Sequence, residues 1–293
     1  MPTTRNWPWT PRERPVYGRR MKIRIVDAFT DRPFAGNPAG VLLLESDRFP
    51  GPDRLQRVAA EVNLSETAFA HPLPPGGQAD WALRWFTPTT EVDLCGHATL
   101  AAAHVLRTTG VAEGTVRFAS RSGVLRTTAH QDGSLTLDFP TAPLTPVTAP
   151  PGLAEALGAV PLSVHDTGDN VGDLLVELAD EAAVRALRPD FPSLVACSRR
   201  GVIATAAAGD PSDGYDFVSR GFFPRVGIDE DPVTGSAHTA LAPFWSARFG
   251  RTDLTGLQAS ARSGLVRTSL RGERTWLTGQ AVTVIEGELL APL

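Results

Sequence analysis

From Lys22 onward the chain alternates apolar and polar residues in short runs, most of them bounded by Gly or Pro. "KIRIVDAF" sets Ile23 and Ile25 on one face and charged residues on the other, the period of a half-buried strand. "VLLLE", "SETAFAHPL", "WALRWFTPT", "TVRFAS", "GVLRTTAH" and "SLTLDFP" read as further strands. "TDRPFAGNPAG", between the first two, reads as a loop. The period changes in "PDRLQRVAAEVN", where Leu55, Val58, Ala59 and Val62 share the face of a helix.

Two segments break the amphipathic rule. "GHATLAAAHVLRTTG", stopping at Gly110, and the helix predicted over Ser236–Phe249 are almost wholly Ala, Leu, Thr and other small or apolar residues. A helix without a polar face is buried on most sides. Between them lies "PTAPLTPVTAPPG", five prolines in thirteen residues, which predicts a linker just past Phe139. The second half then repeats the plan of the first. "LSVHDTG", "DLLVELA", "GVIATAAA", "YDFVSRGFFP", "LVRTSLRG", "RTWLTG" and "AVTVIEGEL" are strands, and "GLAEALGA", "EAAVRAL" and "FPSLVAC" short helices. Short strands around one buried helix, twice over, predict an α+β protein of two similar domains, each a barrel-like sheet wrapped around a central helix. A parallel βαβ architecture calls for a Gly-rich fingerprint after the first strand, and "FAGNPAG" does not match it.

Composition narrows the class. The chain has 293 residues, 42% of them hydrophobic and 20% charged, with a net charge of -4. It shows no run of the roughly 20 apolar residues a membrane span needs. Nor does it have the basic balance of a nucleic-acid binder. Cys95 and Cys197 cannot build a disulfide framework, which points to a reducing cytoplasm. Lys22 is the single lysine among 28 basic residues, and a strand start beside the tail is a poor place for a Schiff base. Residues 1–20, with five arginines and four prolines, are expected to be a disordered tail, with a nucleic-acid arm as the alternative.

Candidate chemistry gathers at the starts of the two buried helices. "GIDEDPVTGSAHTALA" crowds Asp229, Glu230 and Asp231 ahead of Thr234, Gly235 and Ser236. A helix start offers free N–H groups and a positive dipole end to an anion, and Gly235 admits a ligand to the backbone. Spacing alone leaves Asp231 or Ser236 equally well explained as a helix cap. "EVDLCGHATL" has the same grammar, with Gly96 and a titratable His97 at the start. The helix dipole there favours neutral His97 and a lowered Cys95 pKa, although a packed histidine and a buried structural thiol are the bland alternatives. Glu66, in "VNLSETAFA", is a candidate general acid/base. His97 and His104, seven apart with no carboxylate at ligand spacing, do not make a zinc site. No phosphate loop or nucleophile elbow occurs.

Together "VDAFTDRPFAGNPAGVLL", "VNLSETAFA", "RWFTPTTEVDLCGHATLAAAHVL", "GIDEDPVTGSAHTALA" and "LTGQAVTVIEGEL" resemble the PhzF-like isomerase/epimerase family of phenazine biosynthesis, in the family's order from about Met21 to the C-terminus. The resemblance implies the diaminopimelate-epimerase-like fold, with the site in the cleft between two domains. It also implies a last strand returning to the first domain, so that 21–139 with about 281–293 stands against 140–280. Carried over by motif, Glu66 is the acid/base, with His97 and Asp231 as catalytic partners. Asn37, Ser65, Gly96, Gly235 and Ser236 bind substrate. Two-thiol relatives of this superfamily carry a cysteine at each helix start. Here the second position is Thr234, whose hydroxyl is too weak an acid to serve, which leaves Cys95 only as an alternative base.

The expected activity is thus a cofactor-independent, metal-free isomerisation that moves a proton between carbons of a small amino or cyclic unsaturated carboxylic acid. The alternatives are an epimerase or racemase pairing Cys95 with a carboxylate, and a non-catalytic small-anion binding protein. The resemblance adds a homodimer; neither nucleic acid nor membrane is expected as a partner.

Overall fold

The computed structural model describes residues 21–169, 171–291 and 293. The expected tail at 1–20 lies outside them. The first half contains β1 (Met21–Ala28), β2 (Asn37–Leu43), α1 (Pro52–Val62), β3 (Glu66–Pro72), β4 (Trp81–Phe86), β5 (Glu91–Val92), α2 (Gly96–Thr108), β6 (Thr115–Ser120), β7 (Gly123–Ala129) and β8 (Leu135–Pro140). The second begins with β9 (Thr145–Pro146), α3 (Leu153–Leu157), β10 (Ser163–Asp166), β11 (Asp173–Glu177), α4 (Glu181–Ala186), α5 (Phe191–Leu194), β12 (Gly201–Ala207) and β13 (Phe217–Phe223). It continues through β14 (Ile228–Asp231), α6 (Gly235–Phe249), β15 (Asp253–Gln258), β16 (Gly264–Arg271), β17 (Arg274–Gly279) and β18 (Ala281–Leu289).

Strand pairing repeats between the halves. In the first, β2 runs parallel to β3, β3 antiparallel to β4, β4 parallel to β6, and β6, β7 and β8 follow as antiparallel neighbours. In the second, β11 is parallel to β12, β12 antiparallel to β13, β13 parallel to β15, and β15, β16 and β17 follow in the same way. The architecture is the expected α+β one, two similar barrel-like sheets each around a central helix. Two strands cross over: β18, after β17, pairs with β1, and β9, after β8, pairs with β10. A ladder between β8 and β17 makes the two sheets continuous.

Every residue of α2 from His97 to Leu106 is buried, as its composition predicts. Around it pack Val26, Val41, Leu83, Trp85, Phe118 and Leu137 from the first sheet. The second central helix starts one residue earlier than its sequence suggests, at Gly235, and packs against Leu175, Ile203, Phe217 and Leu254. α6 also contains Pro243, which cannot donate to the carbonyl four residues back. That freed carbonyl, on Thr239, accepts from the Ala142 N–H at 3.2 Å, so the proline-rich connection is tied to the second core. Among the described residues no helix is long and apolar enough to cross a membrane.

The structure corrects several boundaries. β2 starts at Asn37, inside the segment read as a loop. Its Gly and Pro mask a strand kept small because a Cβ on Gly40 would come 2.9 Å from the Thr67 hydroxyl. β15 carries Gly256 at its centre for a similar reason, since a Cβ there would meet the Phe217 ring at 2.4 Å. The proline-rich linker contributes the two-residue β9, and β5 and β14 are short polar strands without an alternation signal.

Candidate active site

The two central helices meet end to end. A Cβ built on Gly96 would lie 3.4 Å from Gly235 Cα, and one on Gly235 would lie 3.4 Å from Gly96 Cα. Cys95 is the N-cap of α2 and Thr234 that of α6, and neither side chain makes a capping hydrogen bond. Asp231 and Ser236, which spacing had left open as caps, do not cap α6 either. The first-turn N–H groups of both helices are therefore directed into one small space with no side-chain cap over them.

Glu66 enters this space from the first residue of β3, just after α1 ends in the left-handed Asn63. Its Oε2 lies 3.2 Å from His97 Nε2. The contact is off the direction of a hydrogen bond, and both atoms are buried without another partner. Two buried polar atoms left facing each other without a full hydrogen bond make this pair a candidate for contact with a ligand. Burial, and then the charge of Asp231, push the Glu66 carboxyl up to about 8, against the opposing pull of the Cys95 thiol and the Arg200 charge. Burial holds His97 down at about 3, so its imidazole is neutral at any ordinary pH. The sequence had pointed to the helix dipole for this; desolvation is the larger cause.

Cys95 fits the buried-thiol alternative and not the lowered pKa that a helix start would give. Burial and the neighbouring Glu66 charge push its thiol well above the usual range, which overrides the helix start. Its Sγ sits 3.5 Å from His97 Nδ1. A thiol proton donated to Nδ1 leaves the imidazole hydrogen on Nε2, toward Glu66. Candidate ligand atoms of Glu66, Cys95 and His97 lie within 4.8 Å of one another, a grouping that helix spacing did not reveal. A cation there would have to displace protons that the carboxyl and the thiol hold tightly.

Asp231 closes the other side at the end of β14. Its Oδ1 accepts from Asn37 Nδ2 at 2.8 Å, and its Oδ2 from the Thr234 hydroxyl. Asn37 Nδ2 also reaches the Val233 carbonyl at 2.9 Å, which joins the start of β2 to the turn before α6. Burial raises Asp231 to about 6, opposed by the Thr234 and Asn37 hydrogen bonds. Ser236, in the first turn of α6, presents its Oγ to both terminal nitrogens of Arg200, at 3.3 and 3.2 Å. Ser65, half-buried next to Glu66, makes no side-chain hydrogen bond among the described residues.

Glu66, Cys95, Gly96, His97, Asn37, Asp231, Gly235 and Ser236 thus come together from both halves of the chain. Sequence reasoning missed Arg200, its partner Asp173, and Gln258. Gln258 donates to the Asp231 carbonyl at 2.7 Å and accepts from the Thr234 N–H at 2.8 Å, bracing the turn. Surface concavities of about 580, 520 and 450 Å³ lie elsewhere and include none of the site carboxylates in their walls. With side-chain exposures of 12% for Glu66 and 6% for His97, the site is nearly closed to solvent.

Comparisons with known proteins show the family and the fold. The family described as "Phenazine biosynthesis-like protein" matches residues 26–287. A protein of Pseudomonas aeruginosa named as an uncharacterized isomerase is 48% identical over 270 residues, covering 92% of this chain and 98% of its own. Another uncharacterized isomerase, from Halalkalibacterium halodurans, is 46% identical over 272 residues, again 92% of this chain and 98% of its own. The crystal structure of a PhzF family protein from Enterococcus faecalis matches with a TM-score of 0.83 at 41% identity, over 92% of this chain and 99% of that one.

Proposed function

The chain belongs to the phenazine biosynthesis-like protein family, and from that membership we propose that it is a cofactor-independent isomerase in which Glu66 carries a proton between two carbons of a small carboxylic acid. The observation that supports it most is the facing pair of buried, unpartnered atoms, Glu66 Oε2 and His97 Nε2, between two uncapped helix starts. A carboxyl with a pKa of about 8 exists in both protonation states near neutral pH, as a group that takes up and returns a proton requires.

In this reading the substrate carboxylate lies against the helix N-termini. The Glu66 carboxylate removes a proton from a carbon next to an unsaturated system. The C–H bonding pair moves into that conjugated system, and the N–H groups of the helix starts stabilise the negative charge that develops. The carboxylic acid then returns the proton at the far end of the conjugated system, so no electron or proton is gained or lost overall. His97, neutral, hydrogen-bonds without adding charge, and Asp231 orients an amino or hydroxyl group of the substrate. Closure around the pair excludes water while the carbanion-like species exists.

A second reading uses Cys95 as a base, on the ground that its Sγ lies 3.5 Å from His97 Nδ1, to which it could pass its proton. Both are tested by solvent-deuterium incorporation across a panel of amino acids and cyclic unsaturated acids. Glu66→Gln is expected to slow incorporation by about 10²–10⁴-fold, with Cys95→Ser close to the parent protein. The reverse pattern would move the chemistry to the thiol. A parent protein that binds members of the panel yet incorporates no deuterium from any of them would favour a binding protein.

A further inference from the structure

Each central helix start is met by a charged side chain from the beginning of a neighbouring strand. Glu66 opens β3, the strand parallel to β2, and faces His97, the second residue of α2. Arg200 immediately precedes β12, the strand parallel to β11, and contacts Ser236, the second residue of α6. By strand register Gly201 stands where Glu66 does and Arg200 one residue earlier, so the start of one central helix is faced by an acid and the start of the other by a permanent cation.

The cation is held rather than loose. Arg200 Nη1 donates to Asp173 Oδ2 at 2.8 Å and to the Val171 carbonyl at 3.2 Å, and the guanidinium lies 4.9 Å from the Phe223 ring centre. The Asp173 side chain is fully buried and its backbone is locked to Thr167, whose hydroxyl accepts from the Asp173 N–H at 2.9 Å. The Arg200 side chain remains 35% exposed, and its two terminal nitrogens straddle the Ser236 hydroxyl. A neutral hydroxyl at 3.2–3.3 Å is a weak acceptor for a planar fork that suits a carboxylate. The charge of Arg200 also acts on both Glu66 and Asp231. An anionic substrate entering between those two acids would otherwise meet only repulsion from them.

We propose that Arg200 determines the specificity of the cleft for a carboxylate: its fork takes the substrate's carboxylate at the start of α6, beside Ser236, and leaves the reacting carbon on the Glu66 and His97 side. Asp173 is the positioning residue that aims the fork. This rests on the isomerase reading for what the cleft holds, while the preference for an anion is measurable without turnover. It adds a direction to that reading, with the acid function of the substrate toward α6 and the proton transfer toward α2.

The test is calorimetric titration of the full chain with benzoate and with its neutral analogue benzamide. The parent protein is expected to prefer benzoate. Arg200→Gln should weaken benzoate roughly ten- to a hundredfold while leaving benzamide unchanged. Arg200→Lys, which keeps the charge but loses the fork, should fall between. Glu66→Gln should retain the benzoate preference even where deuterium incorporation is lost, so failure of the proton shuttle and failure of the anion seat are read separately. The proposal is overturned if Arg200→Gln binds benzoate like the parent or loses both ligands together. It is also overturned if the parent takes both ligands alike, or neither.

Discussion

Glu66 is the residue whose burial works against the fold. Its folded pKa of about 8 lies above the ordinary value of 4.5, so between those two pH values the native state keeps a proton that the unfolded chain has released. The stability it contributes is therefore complete below about pH 4.5 and is lost as the pH rises through 8. Glu66→Gln keeps the shape and removes the titration. The variant should be more stable than the parent at pH 7 by roughly 1–3 kcal/mol, with a larger gap at pH 8.5 and none at pH 4.5. Urea melts at the three pH values measure this, and coincident curves at pH 8.5 would mean that Glu66 is not buried as described. A substitution that stabilises the fold and abolishes the activity is the signature of a group placed for chemistry. The motifs made Glu66, His97 and Asp231 legible in the sequence. Arg200 was not, because "SRRG" looks like any polar turn in a chain with 28 basic residues. The direction of the Cys95 shift was also hidden, since it depends on how deeply the fold buries the thiol beside Glu66.

At the scale of elements, the site depends on two helices meeting through glycine. A methyl group on Gly96 would sit 3.4 Å from Gly235 Cα and 3.6 Å from the Phe139 ring, which is contact without severe overlap. It would, however, stand in front of the N–H groups that we propose hold the substrate carboxylate. Gly96→Ala and Gly235→Ala should each lower kcat/KM by about tenfold or more while moving the melting temperature by only a few degrees. A large drop in melting temperature with unchanged kcat/KM would instead assign these glycines to packing. Both helices were legible because Ala-rich runs without a polar face have one stable location, inside a sheet. The strands beside them were less so. "DLTGLQ" hides β15 because Phe217 and His238 crowd Gly256 from the far side of the core, and no local pattern reports a neighbour distant in sequence. "IDED" hides β14, a four-residue strand in which only Asp231 is buried and Glu230 pairs with Arg220 on the neighbouring strand.

For the whole molecule, the question is whether two halves that look alike also fold alike. We propose the division 21–139 with 281–293 against 140–280, in which each half receives an edge strand by way of a chain crossing from the other side. Lys22 and Arg24 on β1 both pair with Glu286 on β18, and Leu289 packs with Met21 and Ile23 over the cluster that holds α1. Val233, Val266 and Leu277, from the second half, belong to the core around α2. A half that melted alone would have to break the β8–β17 ladder and expose that shared core to water, at about 25 cal/mol for each Å² of apolar surface. Scanning calorimetry should therefore give one transition, with calorimetric and van't Hoff enthalpies in agreement. Deleting 281–293 removes one of the two strands paired with β1 and should lower the single transition rather than split it. Two resolved transitions in the parent protein would show that the halves are autonomous. The site would then close by the docking of finished domains, and Asn37, which bonds both Asp231 and Val233 across the join, would be a latch and not part of a common core.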